Sequence, residues 1–468
     1  MKSLKKNKLI IIFSLIFLFL VSKAGTADEV TLKEALKIGF RTNKDLRNLQ
    51  KNIEDLKREL TLIRAQQDWQ VEIKANYNHN FTDDDSLLGT GKEQKNASLK
   101  INKLFASGLQ INPVLKISDN NFDPNFLVTL SQQIYPEIPT ELDKQYYRTG
   151  QNLLKLRQNY LHQKADKILS WLESYLAINR MYTKRDIYIE SLKQAKENLN
   201  KIQEAEKIGE AGKQKVLTAR LSVKEAEYSL QDINHKIEEA KMTFKQMLGL
   251  DGEQTLVTDI NSGCLTELRE NARQLLDNYL KKKKIMTSVA ANDYNLYINK
   301  IDRQVLKQEL EWLKEDGKTD VNLTGSYNTK SDELTAGFNL SYQLYDGKQQ
   351  ELKYKDKEAE IKINRANYND IYKELKNKLK QYKNVLELSR LQLEKQKICV
   401  ARNKHELQTA RQQHKIGLID YLEYQKQWIK NREAKVMLSS IVDQIFIKRL
   451  QFIKFVDKDK LIGELLNS

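Results

Sequence analysis

The 468-residue chain predicts a mainly α-helical fold with a smaller β component: long coiled-coil helical hairpins and short strands in a two-fold internal repeat. Three observations carry this. Only 4 prolines occur, and Pro113, Pro124, Pro136 and Pro139 all fall in one stretch, so the rest lacks the strongest helix breaker. Long proline-free tracts place apolar residues seven apart, the spacing of a helix–helix seam. Two other tracts alternate apolar and polar residues, the period of a strand. A charged fraction of 30% and a mean hydropathy of −0.65 suit solvated helices better than ordinary globular domains.

The chain opens with Lys2, Lys5, Lys6 and Lys8, then the run Leu9–Val21, apolar but for Ser14, then small residues to Ala24 and Ala27. This reads as a secretory signal over 1–24. An uncleaved anchor is the other reading, but the run is shorter than the roughly 20 residues a spanning helix needs. No later stretch is long and apolar enough to span as a helix. Net charge is +16, and the five lysines of the signal leave the exported chain at +11. A basic balance raises nucleic acid as a partner, and export excludes it.

The first repeat is expected over 25–250. Leu32, Ala35, Leu36, Leu46, Leu49, Ile53, Leu56, Leu60 and Ile63 mark a helix over 31–66. Between 69 and 135, Val71, Ile73, Ala75 and Tyr77 alternate with polar residues, and further alternation yields strands at about 69–81, 96–104, 109–118 and 126–135. The helical period then runs from Glu141 to Ile208, roughly 100 Å at ~1.5 Å per residue. Leu154, Leu161, Ile168, Tyr175, Tyr182 and Ile189 fall seven apart along it. Gly209 and Gly212 break it, with a tip at 207–212. A second helix, Lys213–Leu248, carries two clean rows: Val216, Val223, Leu230, Ile237, Phe244 and Ala219, Ala226, Ile233, Ala240, Met247. A linker at 251–265 follows.

The second repeat, 266–456, has the same order. A helix covers 266–315, and strands are expected at about 319–329 and 334–345. A long helix keyed by Leu379, Leu386, Leu393, Val400 and Leu407 runs to Ile416, with a tip at 415–418. A last helix reaches Val456, and 457–468 is a C-terminal tail. Helices this long cannot fold back into one core and must bury their seams laterally. A few short strands leave exposed edges, and arcs from several copies closed into one barrel remove them. Alternating faces suit lipid outside and water inside.

The opening Val30-Thr-Leu-Lys-Glu-Ala-Leu36 with Asn43-Lys-Asp-Leu46, and the duplicated Lys207-Ile-Gly209 and Lys415-Ile-Gly417, resemble the outer membrane efflux proteins of the TolC type. The family commonly has Asn-Pro where this chain has Asn43-Lys44. The resemblance spans nearly the whole exported chain. It implies a homotrimer in the cell outer membrane, in contact with its lipid, with a shared β-barrel and a long periplasmic helical tunnel. It implies a periplasmic adaptor protein docking on tips at Ile208, Gly209, Ile416 and Gly417, and an inner-membrane transporter beyond it. The cargo would be small molecules or proteins. Six positions past each tip glycine the family often has an acidic residue at the entrance. Here those positions are Lys215 and Glu423, with Lys426 close by, so the entrance departs from an all-acidic one. Glu423 as an ordinary solvated helix residue is the competing reading.

No catalytic site, metal site or cofactor is expected. His79, His162, His235, His405 and His414 form no ligand motif, and Cys264 and Cys399 form no disulfide framework. Lys281–Lys284 reads as a solvated helix end. Trp69, Tyr77, Tyr135, Tyr327 and Tyr345 near strand ends fit an interfacial belt or ordinary barrel packing. A periplasmic coiled-coil adaptor or structural protein is the alternative function. Four strands plus two give eighteen in a trimer. If the imperfectly alternating 96–118 hairpin, with Pro113 inside it, lies outside the barrel, the count is twelve.

Overall fold

The structure is a computed structural model that describes residues 32–80, 92–105, 107–118, 124–250, 263–282, 284–316 and 318–467. The expected signal at 1–24, most of the expected linker at 251–265 and the expected loop around Asp83–Gly91 lie outside these residues. Helices α1 (Leu32–Thr42) and α2 (Lys44–Gln66) occupy the region expected as one helix. Asn43 makes the break: its side-chain oxygen accepts from the Leu46 N–H at 3.2 Å, and its amide donates to the Met247 carbonyl at 2.9 Å. An Asn oxygen satisfying an orphan N–H is a good helix start.

Strands β1 (Gln70–Asn80), β2 (Lys92–Leu104), β3 (Gln110–Ser118) and β4 (Pro124–Tyr135) follow, then α3 (Glu141–Lys207) and α4 (Lys213–Leu248). The region expected as one helix over 266–315 is three helices: α5 (Gly263–Lys281), α6 (Ile285–Asn292) and α7 (Tyr294–Asp316). The Asp293 side chain caps the last of these through the Leu296 N–H at 2.8 Å. Strands β5 (Asp320–Asn328) and β6 (Glu333–Ser341) lead to α8 (Gln349–Lys415), α9 (Tyr421–Val456) and a short α10 (Lys458–Asn467) in the expected tail. The fold is thus mostly helical with a separate antiparallel sheet.

The seam of α4 is buried where its two rows predict, at Val216, Ala219, Val223, Ala226, Ile233, Ile237 and Phe244. The single row on α3 is only partly buried. Ile168 and Tyr175 are fully enclosed, but Leu154 and Ile189 are 39% and 47% exposed. A straight helix drifts ~20° per heptad against a strict seven-residue repeat, so a long row leaves its seam. Leu153, Leu172, Ile178 and Ile187 take over the buried positions.

The chain forms two compact units, each drawing on both expected repeats. Unit one holds the described residues through Arg47, Leu161–Asn292 and those from Asn377 on. Its contacts join α8 to α9 (Gln396 amide to the Ala434 carbonyl, 2.9 Å) and α9 to α3 (Gln425 amide to Ser191 Oγ, 3.1 Å). They join α3 to α4 through the Trp171 N–H and the Met247 carbonyl, 3.0 Å, and through an apolar cluster of Ala195, Val223 and Ala226. A buried carboxylate, Asp443, accepts from Arg180 at 2.6 Å and Arg269 at 2.5 Å, tying α9 to α3 and α5.

Unit two holds the described residues of Asn48–Tyr160 and Asp293–Lys376. Its helices meet in the order α2, α3, α7, α8: Glu59 with Thr149, Glu309 with Arg148, and Asn299 with Asn364 through a reciprocal pair of amide-to-carbonyl bonds at 3.0 and 3.1 Å. The strands of this unit make one six-stranded antiparallel sheet in the order β1-β2-β3-β4-β5-β6. The 96–118 hairpin therefore lies within the sheet, paired along its length on both sides.

Candidate functional site

Directly opposed residues of antiparallel strands share a face, so the register sorts the sheet into two faces. One is apolar from edge to edge. Val71, Ile73 and Ala75 oppose Ile101, Leu99 and Ala97. Leu99 opposes Leu115, and Leu115 opposes Phe126. Val128 opposes Tyr327, which opposes Leu334, and Leu323 opposes Phe338. The other face carries polar residues such as Glu72, Lys74, Ser98, Lys100, Lys116, Thr129, Asn322 and Thr324. Val114 and Leu127, which oppose each other, interrupt it. The apolar face is not covered by the chain: Ile73 is 77% exposed, Phe338 76% and Leu340 69%. An apolar face this continuous and this exposed needs an apolar environment.

Strand lengths of 9 to 13 residues fit the roughly 9–11 a tilted membrane strand needs. Aromatic residues stand at both ends of the apolar band. Tyr77 and Tyr327 lie near the far ends of β1 and β5, while Trp69, Tyr135 and Tyr345 lie at the ends that join helices, and all five are exposed. Lysines accompany them: Lys95 over Tyr77, Lys103 over Trp69 and Lys318 over Tyr135, each 5.8 Å from the ring centre. Aromatic rings with long cationic side chains suit a boundary between hydrocarbon and headgroups. The edges β1 and β6 run in opposite directions, because each neighbouring pair is antiparallel.

The two expected tips have the same backbone. Gly209 has φ 84° and Gly417 φ 76°. At the first, the Gly209 N–H donates to the Glu206 carbonyl and the Glu210 N–H to the Ala205 carbonyl. At the second, Gly417 donates to His414 and Leu418 to Gln413. This is the paired-bond helix end that a left-handed glycine permits. It leaves apolar side chains outside: Ile208 is 71% exposed, Ile416 72% and Leu418 70%.

The charged candidates split. Glu423 lies in the first turn of α9, where its N–H donates to the Asp420 cap at 2.8 Å. Its carboxylate accepts from the Gln427 amide at 3.2 Å and stands 3.9 Å from the Lys426 ammonium. Lys215 is exposed in the first turn of α4. Sequence reasoning missed an aromatic group beside the second tip. His414 stacks on Tyr424 at 5.4 Å and meets Tyr421 edge-on at 6.1 Å, and its ring N–H donates to the Ile419 carbonyl at 3.2 Å. Burial, with Tyr424 and Glu197 nearby, pushes the Tyr421 hydroxyl far above the ordinary tyrosine range. The available signal was aromatic residues on both sides of Gly417, against none around Gly209.

Among the described residues no helix is long and apolar enough to cross a membrane, and no three His, Cys, Asp or Glu side chains group as a metal site. No family model matches the chain, and no curated protein matches it in sequence. Solved structures do match its fold. CusC, described as forming a transmembrane channel, is 12% identical with a TM-score of 0.65, over 92% of each chain. The CmeC outer membrane channel of Campylobacter jejuni is 13% identical, TM-score 0.64, over 93% of this chain and 89% of that one. The open-state MtrE outer membrane channel of Neisseria gonorrhoeae is 12% identical, TM-score 0.57, over 93% and 89%. The chain shares the fold of these channels along more than nine-tenths of its length.

Proposed function

We propose, from that shared fold, that this chain is a subunit of an outer-membrane export channel of the TolC type, with a large periplasmic helical part. The observation that carries the reading is the sheet, with an apolar face that runs across all six strands and is exposed on β1, β4, β5 and β6, and a polar face behind it. A closed ring of such arcs presents lipid with apolar side chains, encloses a polar lumen and leaves no backbone group unpaired in hydrocarbon. Three copies supply the ring. The two tips, Ile208–Gly209 and Ile416–Gly417, offer the adaptor an exposed apolar side chain beside a tight helix end. An inner-membrane transporter supplies the cargo, small molecules or proteins, and the channel breaks no bond. Lys215, Glu423 and Lys426 line the periplasmic entrance, where the Glu423–Lys426 pair balances charge and weakens selectivity for cations. A coiled-coil adaptor would account for the hairpins but leaves the exposed apolar sheet without a purpose.

Membrane fractionation tests this. The full chain, expressed with its signal, should stay in outer membranes through a carbonate wash, and the purified protein should conduct ions across planar bilayers. Release by carbonate as a soluble protein with no conductance overturns the reading.

A further inference from the structure

We infer that the β2–β3 hairpin is an insert that widens the barrel, so that three chains close eighteen strands with β1 of one copy paired to β6 of the next. This rests on the three-copy channel proposed above. In unit two the strands join the helices in the order in which the helices stand: α2 enters β1, β4 enters α3, α7 enters β5 and β6 enters α8. Four strands would therefore continue four helices. The two extra strands sit between β1 and β4 and belong to the wall. β2 pairs with β1 from Gln70↔Asn102 to Asn80↔Lys92, and β3 pairs with β4 from Gln110↔Ser131 to Ile117↔Pro124. Their apolar side chains, Leu99, Ile101, Leu115 and Ile117, continue the apolar face. Pro113 falls where the β2–β3 ladder skips, between Lys100↔Val114 and Lys103↔Ile111, so its missing N–H costs little.

Width gives the reason for an insert. Strands about 4.8 Å apart, tilted by about 40°, each take about 6 Å of circumference. Six span about 38 Å, while four span about 25 Å. Four packed helices, at roughly 8–10 Å each, span about 32–40 Å. Six strands fall within the width of the helix layer they continue, and four fall short of it. Eighteen strands make a barrel about 36 Å across between backbones, against about 24 Å for twelve, a cross-section about twofold larger. Such a lumen admits water-soluble cargo broader than a drug-sized molecule. The even strand number and the opposite directions of β1 and β6 let the seam between copies close antiparallel, with apolar faces aligned.

Electron cryomicroscopy of the full chain in lipid nanodiscs tests this, with a variant lacking residues 92–118 alongside. The deletion leaves β1 and β4 as neighbours, joined at one end by 81–91 and 119–123. The expected result is eighteen strands in the intact protein and a barrel about 1.5-fold wider than the variant's. If the variant does not assemble, the strand count of the intact protein decides alone. Twelve strands in the intact protein, with 92–118 folded off the wall, overturn the inference and leave the channel standing. A particle with no barrel rejects both.

Discussion

Gly209 and Gly417 show how little of a side chain's surroundings need matter. A Cβ built at either would meet nothing within 4 Å, so a substitution acts through the backbone alone. A non-glycine residue held at positive φ costs roughly 1–2 kcal/mol, and a β-branched one is the worst placed to bear it. Valine at either tip should therefore leave membrane insertion intact while export falls by at least tenfold in a cargo-sensitivity assay. Unchanged export by both variants would remove the tips from adaptor docking. Glu309 carries a pH-dependent contribution. Burial raises its carboxyl pKa, but hydrogen bonds and charge from Lys357, 3.0 Å away, and Arg148, 2.8 Å away, outweigh it and hold the pKa below the ordinary 4.5. A carboxyl depressed on folding stabilises above its unfolded pKa and loses that contribution as pH falls through the folded one. Thermal midpoints should thus drop faster below pH 4.5 in the wild type than in Glu309→Gln. Parallel curves would show that the pairs contribute nothing measurable.

At the scale of elements, the sequence was most legible where one period ran undisturbed. The two rows of α4 mark its buried seam, because two adjacent rows cover a stripe wide enough to absorb the drift of a straight helix from a seven-residue repeat. On α3 the single row from Leu154 to Ile189 holds the seam only at its middle, at Ile168 and Tyr175, and leaves it at both ends. Strand positions followed from alternation, whereas strand neighbours did not, because alternation sets a face and not a partner. The membership of 96–118 therefore needed the register. The second tip's aromatic group stayed hidden because the break at Gly417 puts His414 on one helix and Tyr421 and Tyr424 on the next, so they meet only through the turn. The face assignment can be tested. Arginine on the lipid side of a barrel costs about 2–4 kcal/mol near mid-membrane, while lumen positions tolerate charge. Ile73→Arg and Phe338→Arg should greatly reduce the amount of carbonate-resistant protein, and Thr324→Arg on the opposite face should not. Equal loss in all three would show that the faces are misassigned.

Across the whole molecule, each unit ends in two unlike flanks. In unit one the contact order α8–α9–α3–α4 leaves α8 and α4 outermost, and each bears an apolar stripe. On α4, Leu217, Leu221, Tyr228 and Met242 are exposed, and on α8, Leu388, Leu391 and Ile398 are. In unit two the sheet ends in β1 and β6. Unlike flanks that complement each other make head-to-tail contacts, and these close into rings when the rotation allows. Aspartate in a stripe removes up to ~2 kcal/mol of apolar burial per interface, and a three-copy ring repeats that loss at every seam. Leu221→Asp and Ile398→Asp should each convert a particle of three chains into single chains by light scattering in mild detergent, with helical circular dichroism unchanged. Both variants are needed, since they strike opposite sides of the same seam: if only one dissociates the ring, the stripes do not face each other. A wild-type mass equal to one chain overturns the ring itself.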